Sequence, residues 1–163
     1  MDTWIIGDLH FGHKNITRFR TQFATMEEHE EFIMDNWSVK NGGDKIFFMG
    51  DAAFTWEGLR KISKLRGQKI LIRGNHDTLS TNMYLAVFKE VYGLFKYKAY
   101  WMSHAPIHPA ELRGLMNIHG HVHSETIPDP RYINVCPEVI GYAPVRFQEL
   151  IENHKKQYDL EVK

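Results

Sequence analysis

The sequence predicts an α/β fold with antiparallel additions in its second half. Short β-rich runs alternate with segments of helical spacing through the first half of the chain. Three of the runs, IIGD, FFMGD and LIRGN, end alike, in glycine and then a short oxygen-bearing side chain. In the second half several β-rich runs follow one another more closely, which favours antiparallel pairing.

Taken in order, Thr3–Ile6 reads as the first strand, closed by Gly7-Asp8. Thr25-x-x-Glu28 is a capping-box signature, and Met26, Ile33 and Trp37 carry a helix onward to about Lys40. Asn41-Gly42-Gly43 stops it. Lys45–Met49 is a second strand ending in Gly50-Asp51. Leu59, Ile62 and Leu65 share one helical face, with Gly67 as the C-cap. Lys69–Ile72 is a third strand, ending in Gly74-Asn75. A helix over about Thr81–Phe88 precedes β-rich runs at Val91–Tyr97 and Lys98–Met102. Strands are expected around Asn117–His121 and Arg131–Val135, and Phe147, Leu150, Ile151 and His154 space a terminal helix.

The 163 residues are read as one domain, 1–163. Twenty basic and twenty acidic residues balance, so bulk charge does not argue for nucleic acid or an anionic membrane. The single cysteine, Cys136, leaves no internal disulfide and no thiolate metal cage. The N-terminus lacks the pattern of a signal peptide, and no apolar run approaches the roughly 20 residues that span a bilayer. A cytoplasmic protein is the expectation. The compositional oddity is ten histidines.

Those histidines gather beside the strand ends. Three fall within five residues of MNIHGHVH, at His119, His121 and His123. In an extended segment His121 and His123 would face the same way, with Gly120 allowing an unusual backbone path into the pair. Imidazole is neutral near pH 7 and has a lone pair to give a metal. In open α/β sheets, ligands bind outside the carboxyl ends of the strands. Glycine followed by Asp8, Asp51 or Asn75 would turn an oxygen ligand into that crevice. One such Gly-Asp is an ordinary turn; three, each joined by histidine, make a constellation.

Read in order, Asp8-Leu9-His10, Gly50-Asp51, Gly74-Asn75-His76-Asp77, His104 and Gly120-His121-Val122-His123 resemble the signature DxH, GD, GNH[DE], H and GHxH of the calcineurin-like metallophosphoesterases. The HFGHKNI context after Asp8 looks like a small bacterial or phage branch. The resemblance implies a four-layer α-β-β-α sandwich with mixed sheets and a centre of two divalent transition-metal ions. Asp8, His10, Asp51 and His123 would hold one ion, and Asp51, Asn75, His104 and His121 the other. Asp51 would bridge them. Mixed N/O ligation suits Mn, Fe, Zn, Ni or Co, and manganese is the expected metal. His76 would be catalytic, protonating the leaving alkoxide or stabilising phosphoryl charge, while a hydroxide between the ions attacks in line.

The chain departs from the protein-phosphatase branch, which carries GDxVDRG. Here Phe54 replaces the second acid and the arginine is missing. The usual partner of His76 is therefore absent, with Asp77 as the only nearby substitute. A phosphodiesterase is favoured, acting on a small phosphoester such as a cyclic or short nucleotide. The alternatives are a phosphomonoesterase and a non-catalytic scaffold of the same fold. Seven N/O ligands argue against a structural zinc staple, which is usually cysteine-rich and closed by four. No dedicated nucleic-acid-binding domain fits within this length, and the oligomeric state stays open.

Asn75, His13 and His108 are the candidate substrate contacts. Lys14 and Arg73 could also reach phosphate, or serve a solvated loop and a strand-end salt bridge. His119 would pack or orient a ligand. His29 and His154 are read as surface residues on helices, and Cys136 as a small buried apolar one. Trp56, Tyr97, Tyr100 and Trp101 are assigned to core and cleft walls.

Overall fold

The computed structural model of the protein describes residues 1–159. Its strands form two mixed sheets. The first has the order β4-β3-β2-β1-β9, from β1 (Thr3–Ile6), β2 (Lys45–Phe48), β3 (Gln68–Ile72), β4 (Glu90–Tyr92) and β9 (Val145–Arg146). β1 to β4 are parallel and β9 joins β1 antiparallel. The second has the order β5-β6-β7-β8, from β5 (Leu94–Tyr97), β6 (Tyr100–Ser103), β7 (Met116–His119) and β8 (Tyr132–Asn134). Only its β5–β6 pair is antiparallel.

Alternation along the strands builds two cores, because successive side chains leave opposite faces of a sheet. Trp4, Ile6, Ile46, Phe48 and Leu71 point one way. They pack on Ile33 of α1 (Met26–Asp35), Leu59 and Ile62 of α2 (Trp56–Ser63) and Tyr84 of α3 (Thr81–Leu85). Ile5, Phe47, Ile70 and Ile72 point the other way, onto Met102, Ile118 and Ile133 of the second sheet. Phe147 and Leu150 of α5 (Phe147–Gln157) join this inter-sheet core. The expected α/β sandwich with mixed sheets is therefore present. Among the described residues no helix is long and apolar enough to cross a membrane.

Helix starts follow the sequence. Thr25 Oγ1 accepts from Glu28 N at 3.1 Å while Glu28 Oε2 accepts from Ala24 N, a reciprocal cap. Thr55 caps α2 in the same way, through Gly58 N. The ends differ. α1 stops at Asp35 rather than near Lys40, and Trp37 is buried just beyond it, its indole N–H donating to Arg66 O at 3.0 Å. α2 stops at Ser63, leaving Leu65 to fill the core from a turn.

The parallel strands of both sheets end on one edge. The loop after β1 carries Asp8 and His10, that after β2 carries Asp51, and that after β3 carries Asn75 and His76. His104 follows β6 directly, and His121 and His123 follow β7. Backbone bonds tie these loops together, Asp8 N to Gly50 O at 3.0 Å and Gly120 N to His104 O at 2.9 Å.

Candidate metal centre

Asp8, His10 and His123 offer ligand atoms within 4.8 Å of one another, and so do Asp51, His104 and His121. The two trios meet at Asp51. Its Oδ2 lies 3.7 Å from His10 Nε2 and 3.4 Å from His104 Nε2, so one oxygen faces both half-sites. The other oxygen, Oδ1, accepts from His76 N at 2.8 Å. The oxygen available to both half-sites is therefore Oδ2 alone.

The donor set fits cations. Asp8 Oδ1 and both ring nitrogens of His10 are buried without hydrogen-bond partners. Of these, Asp8 Oδ1 and the unprotonated nitrogen of His10 are acceptors, costly to bury unless something positive meets them. His104 Nδ1 lies 2.8 Å from Met49 O. A carbonyl can only accept, so Nδ1 bears the hydrogen and, in the neutral ring, Nε2 presents a lone pair. Around that lone pair stand Asn75 Oδ1 at 2.9 Å, His121 Nδ1 at 3.1 Å and Asp51 Oδ2. Converging lone pairs repel until a cation sits among them.

The backbone is bent to make this arrangement. Asp8 (φ 45°), His10 (φ 54°), Asp51 (φ 47°), His121 (φ 71°) and His123 (φ 51°) all adopt left-handed conformations. Each such residue costs about 1–3 kcal/mol unless its surroundings impose it. The GHxH stretch is therefore not extended: β7 ends at His119, and the two left-handed histidines send their rings to different half-sites. Two glycines make room. A Cβ on Gly74 would stand 2.2 Å from Asp51 Oδ1, and one on Gly120 would stand 2.1 Å from Asp8 Oδ2.

Electrostatics divides the histidines. Burial holds His10 below its usual pKa, keeping the ring neutral and its lone pair free. Burial also opposes charge on His104, but the Asp51 and Asp8 carboxylates outweigh it and raise the pKa. Asp51 stays below the ordinary carboxylate range despite burial, because His104 and the His76 amide bond to it.

His76 stacks on Phe54 at 5.0 Å and 20°, and its ring lies 6.1 Å from that of His10. Phe54 also stacks on His13, at 4.5 Å and 16°, and His13 stacks in turn on the exposed Phe19. A ring stack thus stands where the protein-phosphatase branch has an acid. Asp77 does not replace that acid. It is buried, and it accepts from Ala52 N (2.9 Å), Ala53 N (3.5 Å) and Gly74 N (2.8 Å). Burial pushes its carboxyl up to about 6 against those bonds.

Arg73, which lines the cleft beside the centre, is engaged elsewhere. The Arg73 guanidinium donates to Asp77 O, Leu79 O and Thr81 Oγ1. Arg113 pairs with Glu111, and Lys14 is exposed. His108 is exposed too, its Nδ1 accepting from Ala110 N at 3.2 Å. A cleft of about 460 Å³ opens beside the second half-site, lined by Asn75, His104, His121, Leu94, Pro106 and Ile107 among others.

Several sequence assignments change. His29 is fully buried, and its Nε2 lies 2.8 Å from Arg20 Nη1. His154 is buried as well, with Nε2 2.7 Å from Pro130 O. Trp56, by contrast, is 38% exposed. His119 is buried with Nδ1 against Gly120 O at 2.9 Å, beside the ligands rather than among them. Cys136 is buried as expected but not inert to the site, since its thiol donates to Asp8 Oδ2 at 3.2 Å. Sequence reasoning missed Arg20 and Glu138 altogether. The contact between them spans 118 residues, and no local pattern marks it.

A model of the calcineurin-like phosphoesterase family matches residues 1–158. The chain is similar to the Gene 66 protein of Mycobacterium phage L5, 37% identical over 82 residues, which make up 47% of this chain and 40% of that protein. It thus spans well under half the length of that relative. It is also similar to a solved protein of unknown function from Aquifex aeolicus, with a TM-score of 0.74 and 26% identity over 93% of this chain and 98% of that one.

Proposed function

The chain belongs to the calcineurin-like phosphoesterase family, and we propose that it is a metal-dependent phosphoester hydrolase that prefers phosphodiesters. The observation that carries the reading is the pair of ligand trios facing one oxygen of Asp51. Asp8, His10, His123 and Asp51 would hold one ion, and Asp51, Asn75, His104 and His121 the other; the N/O donor set suits Mn, Fe, Zn, Ni or Co alike, and manganese is the ion proposed. When bound, the ions supply Lewis acidity to the phosphoryl oxygens and lower the pKa of water toward neutrality.

The remaining work belongs to the chain. His76 sits beside the ligands with its amide fixed by Asp51 and its ring held flat against Phe54. From there it delivers a proton to the departing alkoxide. No carboxylate hydrogen bond orients its ring among the described residues, and stacking on Phe54 limits its rotation. His13, packed on the other face of Phe54, closes that wall of the site. The cleft walled by Leu94, Pro106 and Ile107 receives an uncharged substituent of the ester.

The diester preference rests on charge. A monoester dianion needs a cation beyond the metals, and Arg73, the arginine lining the cleft, is spent on Asp77, Leu79 and Thr81. A diester carries one negative charge, which the ions and the neutral histidines can balance, and an alkyl leaving group would take its proton from His76. Short or cyclic nucleotides fit these terms. The test is kcat/KM with Mn²⁺ for bis-nitrophenyl phosphate against nitrophenyl phosphate. Preference for the diester is expected; a strong preference for the monoester, lost on replacing Arg73 or Lys14, overturns it.

A further inference from the structure

His123 reaches the first half-site from a part of the chain far from Asp8 and His10, and its side chain is 39% exposed. Something must decide which ring nitrogen faces inward. His123 Nδ1 lies 3.1 Å from Glu138 Oε1. An ionised carboxylate only accepts, so Nδ1 carries the hydrogen and Nε2 keeps the lone pair. The same Oε1 accepts from Arg20 Nε at 2.8 Å. Arg20 is buried, and its Nη2 donates to the carbonyl of Asp8 at 2.7 Å. One guanidinium therefore fixes the backbone of ligand Asp8 directly and the ring of ligand His123 through Glu138.

The geometry is not that of a pair built for stability alone. An arginine–carboxylate pair gains most from two parallel bonds to two oxygens. Here Glu138 shares Oε1 between Arg20 and His123 and leaves Oε2 buried without a partner. The second half-site is braced differently, since His104 Nδ1 rests on the neutral carbonyl of Met49. The two halves thus depend on separate supports.

We infer that Glu138, held by Arg20, is a positioning residue for the first half-site, fixing the His123 tautomer so that Nε2 is the metal-facing atom. The inference rests on the dinuclear reading above. Partners of this kind typically contribute about 10–100-fold in metal affinity.

The experiment is a calorimetric Mn²⁺ titration of the full chain with Glu138→Ala and Glu138→Gln, alongside long-range ¹H–¹⁵N spectra of the metal-free proteins. Glu138→Ala is expected to weaken one of two equivalents by about 10–100-fold and leave the other unchanged. Glu138→Gln keeps an oxygen that accepts from Nδ1–H, so its affinity should lie nearer the wild type. The spectra should show His123 protonated on Nδ1 in the wild type and the Gln variant, and shifted toward Nε2–H in the Ala variant. Equal loss of both equivalents in both variants, in step with melting temperature, would mean a stabilising ion pair only and overturns the inference. Unchanged tautomer and affinities overturn it too. Should the alanine variant not fold, Glu138→Asp keeps the charge but draws the shared oxygen back from Arg20 and His123 alike; full affinity at both equivalents there is equally fatal. A wild type that binds two Mn²⁺ yet hydrolyses no ester would sink the functional reading and leave this one standing.

Discussion

Asp77 Oδ1 accepts the backbone N–H of Ala52 at 2.9 Å, and Asp77 Oδ2 accepts that of Gly74 at 2.8 Å. One buried carboxylate thereby ties the loop bearing Asp51 to the loop bearing Asn75. Asp77→Ala would strand those buried amides, each at about 1–3 kcal/mol. The expected result is a marked fall in melting temperature of the metal-free protein and weaker metal binding at the half-site of Asn75 and His104. Asp77→Asn, keeping one acceptor, should lose less on both measures.

His76 has no place among the converging ligand atoms, its amide serving only to hold Asp51. His76→Ala is therefore expected to bind metal normally and to lose about 10²–10⁴-fold in kcat for an alkyl diester. The loss should shrink for nitrophenyl esters, whose leaving group hardly needs a proton. Steady-state rates across leaving groups check this; equal losses throughout would assign His76 to charge stabilisation instead.

Acid should weaken the fold through His29. Burial, with the Arg20 charge beside it, lowers its pKa from 6.5 to about 3. Below pH 6.5 the unfolded chain takes up a proton that the folded chain refuses, so its contribution is complete above that pH and fades toward pH 3. Each pH unit within the window costs about 1.4 kcal/mol. Asp77, raised from 3.8 to about 6, contributes the opposite slope, so the quantity to read is a difference. In urea unfolding at stepped pH, the stability of wild type relative to His29→Gln, which still accepts from Arg20, should rise with pH across the window.

Gly120 sits where a methyl group would meet Asp8 Oδ2 at 2.1 Å and Met49 O at 2.9 Å. Neither neighbour is a flexible side-chain end with room to yield. Gly120→Ala is expected to lower stability by about 1–3 kcal/mol. It should also weaken the half-site of Asp8 more than that of His104, as read by metal titration.

Much of the architecture was legible because apolar runs and capping residues are local signals. Thr25 and the strand-ending glycines act where the sequence placed them. The clustering of the candidate ligands was legible for the same reason, each lying one or a few residues past a strand. What was not legible depends on tertiary packing. Nothing near Arg20 announces that it spans Asp8, His29 and Glu138. His29 lies on a helix rich in acidic residues and reads as solvated until its buried partner is seen. The GHxH geometry was misjudged because alternation implies one face only in extended backbone, and His121 and His123 are left-handed.

The central claim is two metal ions joined through Asp51, whose Oδ2 faces His10 and His104 alike. The direct measurement is the Mn²⁺ content and affinity of wild type and Asp51→Asn after loading and desalting. Two equivalents are expected in the wild type, with affinity lost at both sites in the variant. One full equivalent surviving in Asp51→Asn at wild-type affinity would contradict the bridge.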